Sequence, residues 1–333
     1  MKHPRTIVVA VALLLAAAWW LVRDARERGT AAATAPTGAA DSRETTSPDA
    51  GAQRVAEGIP KEMNAEVASS ADAPGPNWSK RLRESDDYWA FAESAIGPAK
   101  RGDGDAQYWL ALALNECEFV YPTYFIEERP GKPARRRTLD EARERVAGMR
   151  SLHLADDMTL LEKRCDRLSR AEDAPFGNGQ EWMEAARAID NPNALAAEAA
   201  VKSLSSMHDE DPERARKMRA EIRRLSVEAT RTGDPEALAR IGAAAANLAF
   251  KDAAESRRRE WSWLLAACLR APDCDVLTSW RKSRCAWDTQ CQPYETPQDI
   301  IQRDAGSEFS EVERRAREIN EKIDAGTLQE SDI

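Results

Sequence analysis

Six cysteines, all downstream of a single apolar N-terminal run and none before Cys117, constrain this chain more than any other feature. Four of them, Cys268, Cys274, Cys285 and Cys291, stand in a C-x5-C-x10-C-x5-C array. Disulfides persist in the periplasm and outside the cell and are rare in the cytosol, so an even number confined to the later part points to an exported, covalently stapled domain. Zinc knuckles place two ligands in a C-x2-C to C-x4-C turn, and a thioredoxin-like centre needs C-x-x-C at a helix start. Neither spacing occurs. The quartet therefore reads as two structural bridges, with a metal site or a redox centre as the alternatives. Equal offsets favour Cys268 with Cys285 and Cys274 with Cys291, among three possible connectivities. Cys117 and Cys165 remain as a third pair, whose bridge would enclose 47 intervening residues. On the chain-entropy estimate it would stabilise by roughly 4 kcal/mol; the alternative is two buried free thiols.

The N-terminus reads Met1-Lys2-His3-Pro4-Arg5, then an unbroken apolar run from Ile7 to Val22. The run is short for a membrane span, but Trp19 and Trp20 suit an interfacial belt and Arg23 can snorkel. The expectation is a single-pass anchor within residues 1–28, in the inner membrane, with the remainder in the periplasm. The alternative is a signal segment cleaved after Ala16-Ala17-Ala18, which would release the chain to the periplasm. Basic residues flank both sides of the run, so the cysteines decide the orientation. Residues 29–76 are rich in Ala, Thr, Ser, Pro and Gly and poor in large apolar side chains, the composition of a disordered linker.

Beyond the linker the chain is rich in Ala, Arg, Glu and Leu and poor in β-branched residues, which favours helices over strands. The expected class is all-α, an irregular stack of helical hairpins over 77–255 closed by a Cys- and Trp-rich helical subdomain over 256–333. About eleven helices and no strand are expected. Pro192, Pro212, Pro235 and Pro297 read as first-turn prolines. Asp86 reads as a cap, Thr138 with Glu141 and Ser310 with Glu313 as capping boxes, and Gly326 as a C-terminal cap.

An internal comparison aligns the segment starting at Gly102-Asp103 with the one starting at Gly233-Asp234, and a weaker copy begins at Asp190-Asn191. The starts lie 88 and then 43 residues apart, close to two periods and one, with no copy near residue 146. Each copy has a Gly/Asp/Asn/Pro turn followed by a helix with small residues on one face. The reading is a helix pair around each turn, with alanines letting the axes approach. Gly102, Asp103, Ala106, Tyr108 and Leu110, and less completely Gly233, Asp234, Ala237 and Ile241, resemble the helical-hairpin repeats of the SEL-type tetratricopeptide-like superfamily. That resemblance implies an α-solenoid with a binding groove, usually an adaptor, and no catalytic residue. The chain also resembles uncharacterised helical envelope proteins of Gram-negative bacteria, which implies a location and no activity.

Catalysis has little to build on. The histidines beyond the linker are His153 and His208, each beside acidic residues at an expected helix boundary. No nucleophile elbow, HExxH, phosphate-binding Gly loop or complete calcium loop is present, so no catalytic, metal or cofactor-binding residue is assigned and no cofactor is expected. A net charge of -9 argues against nonspecific nucleic-acid binding. The strongest charge run is the connection holding Arg129, Lys132, Arg135, Arg136 and Arg137, which could dock an acidic partner or could be a solvated loop. The nearby aromatics, Phe119, Tyr121, Tyr124 and Phe125, read as packing for this loop. The functional expectation is a membrane-tethered periplasmic interaction or scaffolding protein with a protein partner in the envelope. An envelope hydrolase using an unrecognised carboxylate pair is the alternative.

Overall fold

Pro192, Pro212, Pro235 and Pro297 each occupy the first position of a helix in the computed structural model, where a fixed φ and a missing N–H cost nothing. The structure describes residues 76–333 except 128–132, 148–151, 172–173, 288–290 and 293. The apolar run 7–22 and the linker lie outside the described residues. Among those described, no helix is long and apolar enough to cross a membrane.

The chain enters through α1 (Trp78–Glu84) and α2 (Tyr88–Lys100). The cap of α2 is Asp87, which accepts from the Trp89 N–H, and not Asp86 as expected. Then follow α3 (Gly104–Asn115), a π-helical turn over Glu116–Val120 and α4 (Tyr121–Phe125). Next come two short strands, β1 (Ile126–Glu127) and β2 (Arg135–Arg136), paired antiparallel with Ile126 opposite Arg136. No strand is foreseeable from a pattern of two residues. Helices α5 (Leu139–Ala147) and α6 (Leu152–Arg170) complete this stretch. The capping box at the start of α5 is present: Glu141 N–H donates to Thr138 Oγ1, and Thr138 N–H to Glu141 Oε2.

Three helix pairs build the stack: α3 with α7 (Gly179–Ala188), α8 (Pro192–Met207) with α9 (Pro212–Thr230), and α10 (Pro235–Leu248) with α11 (Ala253–Arg270). The first helices of the second and third pairs, α8 and α10, also lie side by side. The expected pairing of helices around a turn holds at 102–103, where α2 and α3 pack on each other, but the phase changes at the other two copies. The aligned turns at 190–191 and 233–234 connect one pair to the next, and the alanine-rich helix after each of the three turns opens a pair. The long first spacing has the same explanation. The partners α3 and α7 are separated in sequence by the whole stretch from Glu116 to Asn178, so an insertion inside the first pair takes the place of a missing copy.

Close approach within the pairs requires glycine at specific points. A Cβ on Gly179 would lie 2.1 Å from Asn115 Oδ1 and 2.8 Å from the Ala111 carbonyl oxygen, which sets the contact of α7 with α3. Gly242 on α10 is the milder case, with the Glu260 carbonyl oxygen of α11 at 3.3 Å.

After α11 come a 3-10 turn (Pro272–Leu277), α12 (Thr278–Trp287), α13 (Pro297–Ala305), a 3-10 turn (Gly306–Glu308) and α14 (Phe309–Asp324). Because that 3-10 turn leads directly into α14, Ser310 lies inside the helix and caps nothing. Gly326, at φ 65°, ends α14 as expected: its N–H bonds the Ile323 carbonyl, and Thr327 N–H bonds that of Lys322. Such a left-handed C-terminal turn satisfies carbonyls that the helix leaves open. The boundary expected at 255/256 falls inside α11. The apolar core divides within α8 instead, Ala194 closing a first cluster that begins at Trp78 and Leu195 opening a second that runs to Ile333.

Candidate functional site

The three pair-opening turns share one geometry. Gly102, Asp190 and Gly233 adopt left-handed backbone at φ 90°, 55° and 65°, and the next residue caps a helix. Asp103 accepts from Ala106 N–H, Asn191 from Ala194 N–H, and Asp234 from Glu236 and Ala237 N–H. Glycine suits that backbone at no steric cost, and aspartate is among the few side-chain residues that visit it. Two positions after each cap stands Asp105, Asn193 or Glu236, polar in every copy.

These turns and α1 bring a polar cluster together. Asn191 Nδ2 donates to Asp105 Oδ1 at 2.7 Å, joining the first and second pairs. Trp78 Nε1, on α1, donates to Asp103 Oδ2 at 3.1 Å. Ser79 Oγ donates to Glu236 Oε1 at 2.5 Å, and Arg83 pairs with Glu236 and, at 2.7 Å, with Asp275. From α10 the Arg240 guanidinium lies over the rings of Tyr108 and Trp109, 5.4 and 6.0 Å from their centroids. Tyr108 is fully buried.

Electrostatics follow from desolvation. Burial pushes the Tyr108 hydroxyl up to about 12, against the attraction of Arg240, so it stays protonated at neutral pH. Burial also raises the Glu236 and Asp105 carboxyls, opposed by Ser79 and Arg83 in the first case and by Asn191 in the second. The Tyr108 hydroxyl and Arg240 Nε are buried without a hydrogen-bond partner. The carboxylates are engaged in caps, in ion pairs and, at Asp105, in the hydrogen bond from Asn191. Among the described residues, no group of three or more His, Cys, Asp or Glu is arranged to hold a metal ion. What the cluster can do chemically is recognise polar groups and hold three helix pairs and α1 in register.

The cysteines form three bridges. Cys117 pairs with Cys165 as expected, joining the π-helical turn to α6 with Cα atoms 5.2 Å apart. The C-terminal connectivity differs from the favoured one: Cys268 pairs with Cys274, and Cys285 with Cys291, at Cα separations of 4.4 and 5.4 Å. Equal offsets in sequence bring Cys285 to Cys268 only where α12 packs along α11, whereas α12 packs on α6, on the 3-10 turn Pro272–Leu277 and on α13. Each bridge is therefore local. Cys268 sits in the last turn of α11, and Cys274, with left-handed backbone at φ 56°, doubles back to it. The disulfides fit an oxidising compartment.

The described arginines of the basic connection, Arg135, Arg136 and Arg137, are held from within the domain. Arg135 pairs with Glu127 at 2.7 Å and Glu141 at 3.0 Å, and Arg136 with Asp166 at 2.9 Å while lying over the Tyr121 ring. Arg137 Nη1 donates to the Tyr124 and Ile126 carbonyls. Arg129 and Lys132 lie outside the described residues. Tyr121 and Phe125 stack at 4.6 Å and are buried, as packing requires, and Phe119 is exposed. His153 lies in α6, and His208 follows α8 as its C-terminal cap.

Sequence reasoning missed Arg83, Glu236 and Arg240. One signal was available, the recurrence of a polar residue two positions after each cap. Family models, curated proteins and solved structures were all compared with this chain, and none matches it.

Proposed function

We propose that the chain is a membrane-tethered, periplasmic interaction scaffold built on SEL-type helical-hairpin repeats, with residues 7–22 as its inner-membrane anchor. One observation carries the reading. The adjacent first helices α8 and α10 leave apolar positions exposed, Val201 (61% exposed) on α8 and Ala243 on α10, on helices whose other faces are packed with alanine, leucine and isoleucine. A partner helix laid along these adjacent repeat helices would cover both positions. The three disulfides support an oxidising side of the membrane, and the basic run before the apolar segment supports an anchor or export signal.

The partner class is a protein of the cell envelope. The described arginines of the 129–137 connection already have intramolecular partners, which favours the repeat helices over that connection as the contact surface. The test is crosslinking of the full chain in a Gram-negative envelope followed by mass spectrometry, comparing wild type with Val201→Asp and Ala243→Asp. Loss of one discrete adduct in both variants, with folding intact by circular dichroism, supports the reading. An adduct pattern unchanged by either substitution removes its support.

A further inference from the structure

One of the three disulfides differs from the others in its surroundings. Cys117, Cys165, Cys268 and Cys274 are at most 8% exposed, whereas Cys285 and Cys291 are both half-buried. Beside Cys291 stands a cation: Arg303 Nη2, from α13, is 3.9 Å from Cys291 Sγ. Glu295 fixes that guanidinium through two contacts of 2.6 Å to Nη1, and Asp304 lies 3.3 Å from Nη2. Asp304 is also paired with Arg284 at 2.5 Å, so among the described residues both guanidiniums are tied to carboxylates.

We propose that Cys285–Cys291 is a thiol-exchange site that takes dithiols, and that Arg303 gives the exchange a direction. A neighbouring guanidinium lowers the pKa of a cysteine thiol, and the thiol of lower pKa is the better leaving group. A substrate thiolate attacks Cys285 Sγ and forms a mixed disulfide; the Cys285–Cys291 bond breaks and its electron pair leaves on Cys291 Sγ as a thiolate beside Arg303. The second substrate thiol, deprotonated, attacks the substrate sulfur of the mixed disulfide and releases Cys285. The substrate dithiol is oxidised to a disulfide, and its two electrons and two protons end on Cys285 and Cys291 as thiols. The two buried bridges keep the fold closed through this cycle.

The full chain is titrated with dithiothreitol at pH 7, quenched with acid, alkylated and mapped by peptide mass spectrometry, with helicity followed in parallel. The Cys285–Cys291 bridge opens at a dithiothreitol concentration about tenfold or more below that which opens the others, with helicity retained. Brief exposure to glutathione, a monothiol, places the adduct on Cys285. Arg303→Ala slows opening about fivefold or more and spreads the adduct over both sulfurs, and Arg303→Lys restores the wild-type pattern. Opening of all three bridges together with loss of helicity overturns the proposal, as does an adduct on Cys291 in the wild type or an Arg303→Ala variant that behaves as wild type. If Arg303→Ala does not fold, the order of opening and the adduct position in the wild type decide.

Discussion

The guanidinium of Arg240 lies 5.4 Å from the centroid of the Tyr108 ring, so the third helix pair is anchored on the helix that opens the first. The contact joins the two apolar clusters, since Tyr108 belongs to one and α10 to the other. It also leaves two buried polar atoms, the Tyr108 hydroxyl and Arg240 Nε, without hydrogen-bond partners. Attraction between cation and ring faces therefore works against a desolvation cost.

Substitutions at this contact separate the two effects. Tyr108→Phe keeps the ring and removes an unpartnered hydroxyl, so it stabilises by about 1 kcal/mol. Arg240→Ala removes the cation from both rings and destabilises by about 1 kcal/mol. Urea denaturation of the two variants checks this, and a Tyr108→Phe variant less stable than wild type would show that the hydroxyl has a partner.

Gly179 and Gly242 both lie at helix contacts, but only one tolerates a methyl group. Gly179→Ala places its Cβ 2.1 Å from Asn115 Oδ1 and 2.8 Å from a backbone oxygen, forcing α7 away from α3 at about 2–3 kcal/mol. Gly242→Ala meets its nearest atom at 3.3 Å, and the helix propensity gained, about 1 kcal/mol, offsets the compression. Thermal melts of the pair should show a large drop for the first and little change for the second.

The bridges contribute unequally. Cys117–Cys165 spans a sequence separation of 48, against 6 for Cys268–Cys274, so chain entropy predicts losses of about 4 and about 2 kcal/mol on removal. Removal of the long bridge also frees α6, whose Arg164 donates to the Ser85 and Arg83 carbonyls and whose Arg167 pairs with Asp87. Double Cys→Ala variants of each pair, compared by denaturant midpoint, should rank in that order.

Glu141 supplies a pH test confined to one helix. The Arg135 guanidinium, followed by the Thr138 backbone N–H, draws its carboxyl down to about 2 from an ordinary 4.5. The folded value is depressed, so the contribution is complete above about pH 4.5 and is lost as pH falls toward 2. The hydrogen-exchange protection factors of α5 amides, which take exchange rates relative to the intrinsic rate at each pH, should fall through that window in the wild type. In Glu141→Gln the lower protection should already be present at pH 7.

The helical class was legible because composition and first-turn prolines are local signals, and Pro192, Pro212, Pro235 and Pro297 all start helices. So was the Thr138–Glu141 box. The phase of the repeat was not: nothing in residues 179–188 records that they pack on α3 across a long insertion. Disulfide connectivity failed for the same reason, because it depended on where α12 packs. At Ser310 the local signal was overruled by the 3-10 turn before it. Half of the candidate cluster was visible in the caps, while Arg83 and Arg240 reach it only through tertiary placement.

Site-specific photo-crosslinking in the envelope tests the scaffold reading most directly. A photoreactive residue at Val201, on the exposed side of α8, should yield a discrete adduct with one envelope protein, while the same probe at the exposed Lys217 of α9 should not. An absence of adduct at Val201, or equal adducts at both positions, would contradict a partner-binding role for the repeat helices.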